Sequence, residues 1–172
     1  MTHIDLGLDE KIAPGIRGLL RYRPETGRPL SELAEVLLRG DSSLSRGERE
    51  YIAAHVSRLN DCSYCAQSHG AVAAAEGMPV SASLGPKMRA LLEVAAATRI
   101  GGHEVTATLI EEARSAGATD LEIHDTVLLA AAFSMFNRYV DALGTFAPED
   151  ARAYEAGAAR IVEHGYLTPP PS

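Results

Sequence analysis

Apolar residues recur at helical spacing along most of this chain, and no segment shows the strict alternation of a half-buried strand. The clearest case is "LSRGEREYIAAHVSRLN", in which Ile52, Val56 and Leu59 fall on one helical face. Ser45 and Glu48 have the S-x-x-E spacing of a capping box and mark its start. Between Tyr51 and Ser57 only His55 can carry a charge, which predicts a helix covered on more than one side. A short break at Asn60-Asp61 precedes a helix from about Cys62 to Ala75, which either residue could cap and which Gly77 and Pro79 stop. "SELAEVLLR" predicts a shorter helix before these, with Ser31 as N-cap, Glu32 in the first turn and Gly40 at the end. After them come "GPKMRALLEVAAATRIGG", with Pro86 suited to the first helical position, and "HEVTATLIEEARSAG". The long "TDLEIHDTVLLAAAFSMFNRYVDALG" has a second capping box at Thr119 and Glu122, and "PEDARAYEAGAARIVEHG", with Pro148 near its start, is the last helix. The pattern predicts an all-α domain over residues 31–166. Residues 1–30, rich in Gly, Pro and Arg, are expected as an irregular arm with at most a short helix, and 167–172, "LTPPPS", as a disordered tail. The two capping-box helices look alike, as in a duplicated helical unit or as any two buried helices do.

Composition narrows the function more than the fold. At 172 residues the chain is long enough for one well-formed core, and its alanine content and lack of tryptophan suit closely packed helices. The net charge of −7 with no run of Lys and Arg excludes an ordinary nucleic-acid surface. No apolar stretch reaches the roughly 18 residues of a membrane span, and the N-terminus lacks the basic start and apolar core of a secretory signal. A cytoplasmic location is expected, where a close cysteine pair serves catalysis or metal binding more often than a structural disulfide.

The only cysteines, Cys62 and Cys65, lie in "NDCSYCAQSHG", with His69 four residues beyond the second. On a helix these three positions span an arc of roughly 60°. Unpaired N–H groups and the positive end of the dipole at a helix start stabilise a thiolate, which by itself favours Cys62 as the more acidic thiol. His69, one turn on, can take a proton from Cys65 or support its thiolate as imidazolium. The second thiol can then resolve an oxidised first one as a disulfide. Rival readings of the same residues are two inert buried cysteines beside a histidine, and a zinc site. The C-x-x-C-x-x-x-H run offers three ligands where a structural site wants four, so His103 or His124 would have to complete it. A thioredoxin-type motif would need a preceding strand, and a helix stands there instead. Glu50 shares a helical face with the small residues Ala53, Ala54 and Ser57, which would let another helix approach closely. A carboxylate there can orient His69 or accept its proton; it can also simply favour the helix dipole. Asn137, Arg138 and Asp141 are candidates for the pocket or for an oligomer contact, or are an ordinary polar cluster. His55 is read as a core histidine, and His124 matches the place of Glu50 in the suspected repeat.

The run Glu50, eleven residues, Cys62-x-x-Cys65, three residues, His69 resembles the alkylhydroperoxidase D and carboxymuconolactone decarboxylase superfamily, in particular its peroxidase-related branch. "LRGDSSLS" and "FNRYVDALG" share that likeness, which covers roughly residues 30–145. The resemblance implies an all-α, alkylhydroperoxidase D-like helical bundle and a homo-oligomer. It further implies a cofactor-free, metal-free peroxidase of the peroxiredoxin type: Cys65 attacks a hydroperoxide, Cys62 resolves it, His69 is the base and Glu50 stands behind it in a proton relay. An external dithiol or protein would be the reductant; neither nucleic acid nor membrane is expected as a partner. One position departs from the pattern, because Tyr64 stands between the cysteines where a relay histidine is expected, and a phenol is a poor base at neutral pH. Two other readings stay open. One is a dithiol redox sensor or partner-binding switch without turnover. The other is a decarboxylase-like acid–base enzyme that works through Glu50 and His69.

Overall fold

The computed structural model describes residues 2–78 and 84–167, and among these all regular structure is helical. The helices are α1 (Ile16–Tyr22), α2 (Pro24–Arg39), α3 (Arg46–Leu59), α4 (Ser63–Ala75), α5 (Pro86–Ile100), α6 (Ala107–Ser115), α7 (Asp120–Ala142) and α8 (Ala151–His164). Both capping boxes form, with Ser45 and Glu48 at the head of α3 and Thr119 and Glu122 at the head of α7. Each satisfies two of the orphan N–H groups at a helix start, a contribution of about 1 kcal/mol. Pro86 takes the first position of α5. No helix among the described residues is long and apolar enough to cross a membrane.

Helix α3 forms the centre. It folds back on α4, packs on α7 along its length, and touches α5 and α2. Its expected face of small residues is fully covered, with Ala53, Ala54 and Ser57 all buried. The main core joins Ile52 and Val56 of α3 to Leu91 and Val94 of α5 and to Leu129 and Phe133 of α7. A smaller apolar cluster holds Cys62, Tyr64 and Cys65 with Val140 of α7 and Tyr154 of α8. The two thiols therefore sit where the α3–α4 turn meets α7 and α8.

Several expectations need correction. Residues 1–30 are not an irregular arm: they hold α1 and the first two turns of α2, which starts at Pro24, so Ser31 is a mid-helix residue and caps nothing. Pro24 at the head of α2 has the backbone angle a helix start requires, and the helix runs on through Pro29. Gly27 lets α1 and α2 touch, since a Cβ there would lie 2.2 Å from the Leu20 carbonyl oxygen. Neither Asn60 nor Asp61 caps α4. Cys62 is the N-cap residue, while Asp61 takes the left-handed conformation (φ 59°) that reverses the chain. The helix expected from His103 begins only at Ala107, capped by Thr106, after a single 3-10 turn. Leu59 is 37% exposed at the end of α3 and does not join the core face of Ile52 and Val56. The suspected repeat goes no further than the capping boxes and a charge-poor run: the first unit breaks into α3 and α4, whereas α7 is one unbroken helix. Residues 168–172 of the expected tail, and Pro79, lie outside the described residues.

Candidate active site

The α3–α4 hairpin brings Glu50 and His69 together. His69 Nδ1–H donates to Glu50 Oε2 at 2.7 Å. The carboxylate is 1% exposed and its second oxygen also has a partner, the Tyr166 hydroxyl, which donates to Oε1 at 2.6 Å. The His69 ring lies against the edge of Phe133 (4.6 Å between ring centres) and is stacked on Tyr166 (6.1 Å). With Nδ1 committed to Glu50, Nε2 is the nitrogen left for chemistry. Burial disfavours the charged imidazole, but the Glu50 carboxylate and the Cys65 sulfur outweigh it and shift His69 above its ordinary value. Tyr166 is held well above the ordinary phenol range by burial and by the Glu50 charge, so it stays a donor.

Cys62 and Cys65 are both free thiols, 0% and 3% exposed. Their environments pull them apart. A hydrogen bond from Cys62, the charge on His69 and the Asn137 amide lower Cys65 against the cost of burial. The same hydrogen bond, now as donor, then burial and the neighbouring Cys65 charge raise Cys62. The helix-dipole expectation that Cys62 would be the more acidic thiol is thus reversed. Cys65 occupies the third position of α4, still within the dipole's reach, and the histidine lies on its side. Asn137 is fixed by a chain of its own: Asn60 Nδ2 donates to its Oδ1 (2.9 Å), and its Nδ2 donates to Ser57 Oγ (3.0 Å).

Tyr64 lies in the wall of the site. Its phenol, pushed up to about 12 chiefly by burial, packs on Tyr154 with ring centres 6.0 Å apart and covers Gly15. A Cβ on Gly15 (φ 59°) would fall 2.1 Å from the Tyr64 ring, so the position admits only glycine. Tyr166 was not legible as a site residue. It follows α8 in the non-helical stretch 165–167, and only tertiary contacts deliver it. Its N–H donates to Glu35 Oε2 (2.7 Å), and Arg39, paired with Glu35, donates to the Ile161 and Val162 carbonyls at the end of α8.

The remaining sequence candidates fall elsewhere. His124 is exposed beside Asp125, His103 is exposed beside Glu104, and Arg138 turns back to the Ser134 carbonyl on the helix surface. His55 is half-buried, and burial lowers its pKa. Asp141 is close enough to Cys62 to affect it and otherwise faces solvent. Among the described residues no three His, Cys, Asp or Glu side chains are grouped as metal ligands would be.

A cavity of about 640 Å³ opens on this site. Its walls include Ile16 and Leu20 of α1, Phe133 and Phe136 of α7 and Ile161 of α8, and Cys65, His69 and Tyr166 also line it. Cys62 does not line it.

The carboxymuconolactone decarboxylase family model matches residues 24–81, the segment that contains Glu50, both cysteines and His69. Two solved structures share the fold over most of the chain. One is an uncharacterised peroxidase-related protein from Silicibacter sp. TM1040, with TM-score 0.71 and 28% identity over 83% of this chain and 78% of that one. The other is an uncharacterised peroxidase-related protein with an alkylhydroperoxidase AhpD core from Ralstonia eutropha JMP134, with TM-score 0.71 and 26% identity over 91% of this chain and 83% of that one. No curated protein matches the chain.

Proposed function

The chain belongs to the carboxymuconolactone decarboxylase and alkylhydroperoxidase D-like superfamily, and from that premise we propose that it reduces hydroperoxides with a thiol pair and no cofactor. One observation carries the reading: of two adjacent buried sulfurs, the one favoured as thiolate, Cys65, lines the cavity beside His69, and the other does not. In the proposed cycle the Cys65 thiolate attacks the outer oxygen of ROOH and the O–O bond breaks. The sulfur takes OH to become a sulfenic acid, and the alkoxide leaves with the proton of His69 as ROH. Cys62 then condenses with the sulfenic acid, and the disulfide forms with loss of water. An external dithiol reduces the disulfide to two thiols and is itself oxidised to a disulfide. Glu50 holds the His69 tautomer and stabilises the charged ring, which regains its proton from the Cys65 thiol once the external dithiol has reduced the disulfide, and Tyr166 holds Glu50.

The reading extends to self-association. Leu121, Leu128 and Met135, seven residues apart, are the large exposed apolar side chains of α7 and form one stripe on its solvent face. A second copy of the chain is the proposed occupant.

Stopped-flow mixing of reduced protein with a hydroperoxide, with thiols counted by mass spectrometry, tests the cycle. The expected result is fast loss of two thiols per chain. Cys62→Ser should stop at a trappable sulfenic acid, and Cys65→Ser should abolish the reaction. Full peroxide turnover by Cys65→Ser would overturn the mechanism. A disulfide that forms without turnover would favour the redox-sensor reading. Thiols no faster than free cysteine would favour the acid–base reading through Glu50 and His69.

A further inference from the structure

The cavity is much larger than hydrogen peroxide needs. A water occupies about 30 Å³, whereas 640 Å³ lies within the range of roughly 300–1,000 Å³ that takes a ligand-sized organic molecule. Its charge also runs against that of the chain. Five of the sixteen Lys and Arg residues line it, namely Lys11, Arg17, Arg21, Arg28 and Arg160, and none of the twenty-three Asp and Glu residues does. Within this group Arg17 is close enough to Arg21 and to Arg160 to be repelled by both, and it also neighbours Tyr64, beside Cys65 in sequence. Arg17 is half-buried, and its Nε is a buried donor with no hydrogen-bond partner among the described residues. Arg28 lies exposed at the rim, 3.8 Å from Glu32. Clustered guanidinium groups with one donor unsatisfied are costly unless an anion joins them. The rest of the wall is largely apolar, which favours a monoanion over a more strongly hydrated dianion.

We propose that this cavity takes a single-chain carboxylate, with its head on Arg17 and Arg21 and its apolar chain along the wall of α1, α7 and α8 towards Cys65. The substrate class, which rests on the peroxidase reading above, is then a hydroperoxide of a medium-chain or long-chain fatty acid. The carboxylate supplies binding and orientation, and the chemistry at Cys65 is unchanged.

Equilibrium binding of unreactive probes tests the site apart from the thiol reaction. The full-length protein is titrated calorimetrically with dodecanoate below its micellar concentration and with dodecanol below its solubility limit, at low and at high salt. Dodecanoate should bind at least tenfold tighter at low salt, with an advantage that shrinks as salt rises. Arg17→Gln should bring the ratio of the two affinities towards one, and Arg21→Gln should act in the same direction if the first variant folds poorly. Equal wild-type affinities for acid and alcohol would overturn the proposal, as would an advantage that survives loss of both arginines. If dodecanoate binds with the expected preference but the thiols do not react with peroxide, the anion site stands and the peroxidase reading falls. If the thiols react with peroxide and the preference is absent, only this inference falls.

Discussion

At the scale of single residues, the site is a set of opposed environments that push like groups apart. Two thiols one helical turn apart divide into a thiolate and a donor, because Cys65 has His69 and Asn137 beside it and Cys62 does not. The thiolate fraction, and with it the peroxide rate, should rise as pH climbs through the lowered Cys65 value, and the rate should fall again once pH passes the raised His69 value, because the departing alkoxide takes that proton. Glu50→Gln removes the charge that holds His69 upward against burial. Without imidazolium beside it, Cys65 titrates higher, so the rise should move to higher pH. Below it, each pH unit of displacement slows the reaction about tenfold. A stopped-flow pH profile of the two proteins checks this, and identical profiles would remove Glu50 from the relay. Tyr166→Phe keeps the ring on His69 and deletes one hydrogen bond to a buried carboxylate. The expected loss is about 1.5 to 3 kcal/mol in urea unfolding.

At the scale of elements, two junctions set the geometry of the site. The end of α8 is held by Arg39, whose guanidinium donates to the Ile161 and Val162 carbonyls, and Arg49 of α3 secures the end of α2 through the Leu37 and Gly40 carbonyls. Arg39→Met should therefore speed hydrogen exchange across 161–167 and slow peroxide consumption together; exchange confined to α2 would contradict the link. The other junction is the contact of Gly15 with Tyr64. Gly15→Ala combines an unfavourable backbone angle with a ring collision, for an expected cost of about 2 to 4 kcal/mol in denaturant unfolding. Elements of this kind show how far the sequence could be read. Ser45–Glu48, Thr119–Glu122 and Pro86 carry their signals locally, within one turn, and the structure has them as expected. The spacing of Glu50 and His69 was legible because one hairpin joins them. The start of α2 was not, since Gly27 and Pro29 read as breakers until the packing of α1 against α2 gives the glycine its reason. Tyr166 was invisible because its partner Glu50 lies 116 residues away, and no short-range pattern encodes such a contact.

At the scale of the whole molecule, the chain presents two unlike surfaces, a basic cavity mouth and the apolar stripe of α7. The stripe predicts that light scattering will report a mass that is a multiple of 18.3 kDa, and that Leu128→Glu will shift it towards the single chain. A monomer in the unsubstituted protein would leave the stripe without a role. The cavity itself is closed by parts distant in sequence, since α4 supplies Cys65 and His69, α7 and α8 supply much of the wall, and Tyr166 follows α8. That division has a consequence during synthesis. About a hundred residues separate Cys65 from Tyr166, and at roughly 5–20 residues per second a growing chain needs on the order of 5 to 20 s to traverse them. The α3–α4 hairpin, which joins Glu50 to His69, is complete in sequence early in that interval. A ribosome-bound chain that paired Glu50 with His69 in that interval would present Cys65 for seconds before the α7 and α8 walls of its cavity existed.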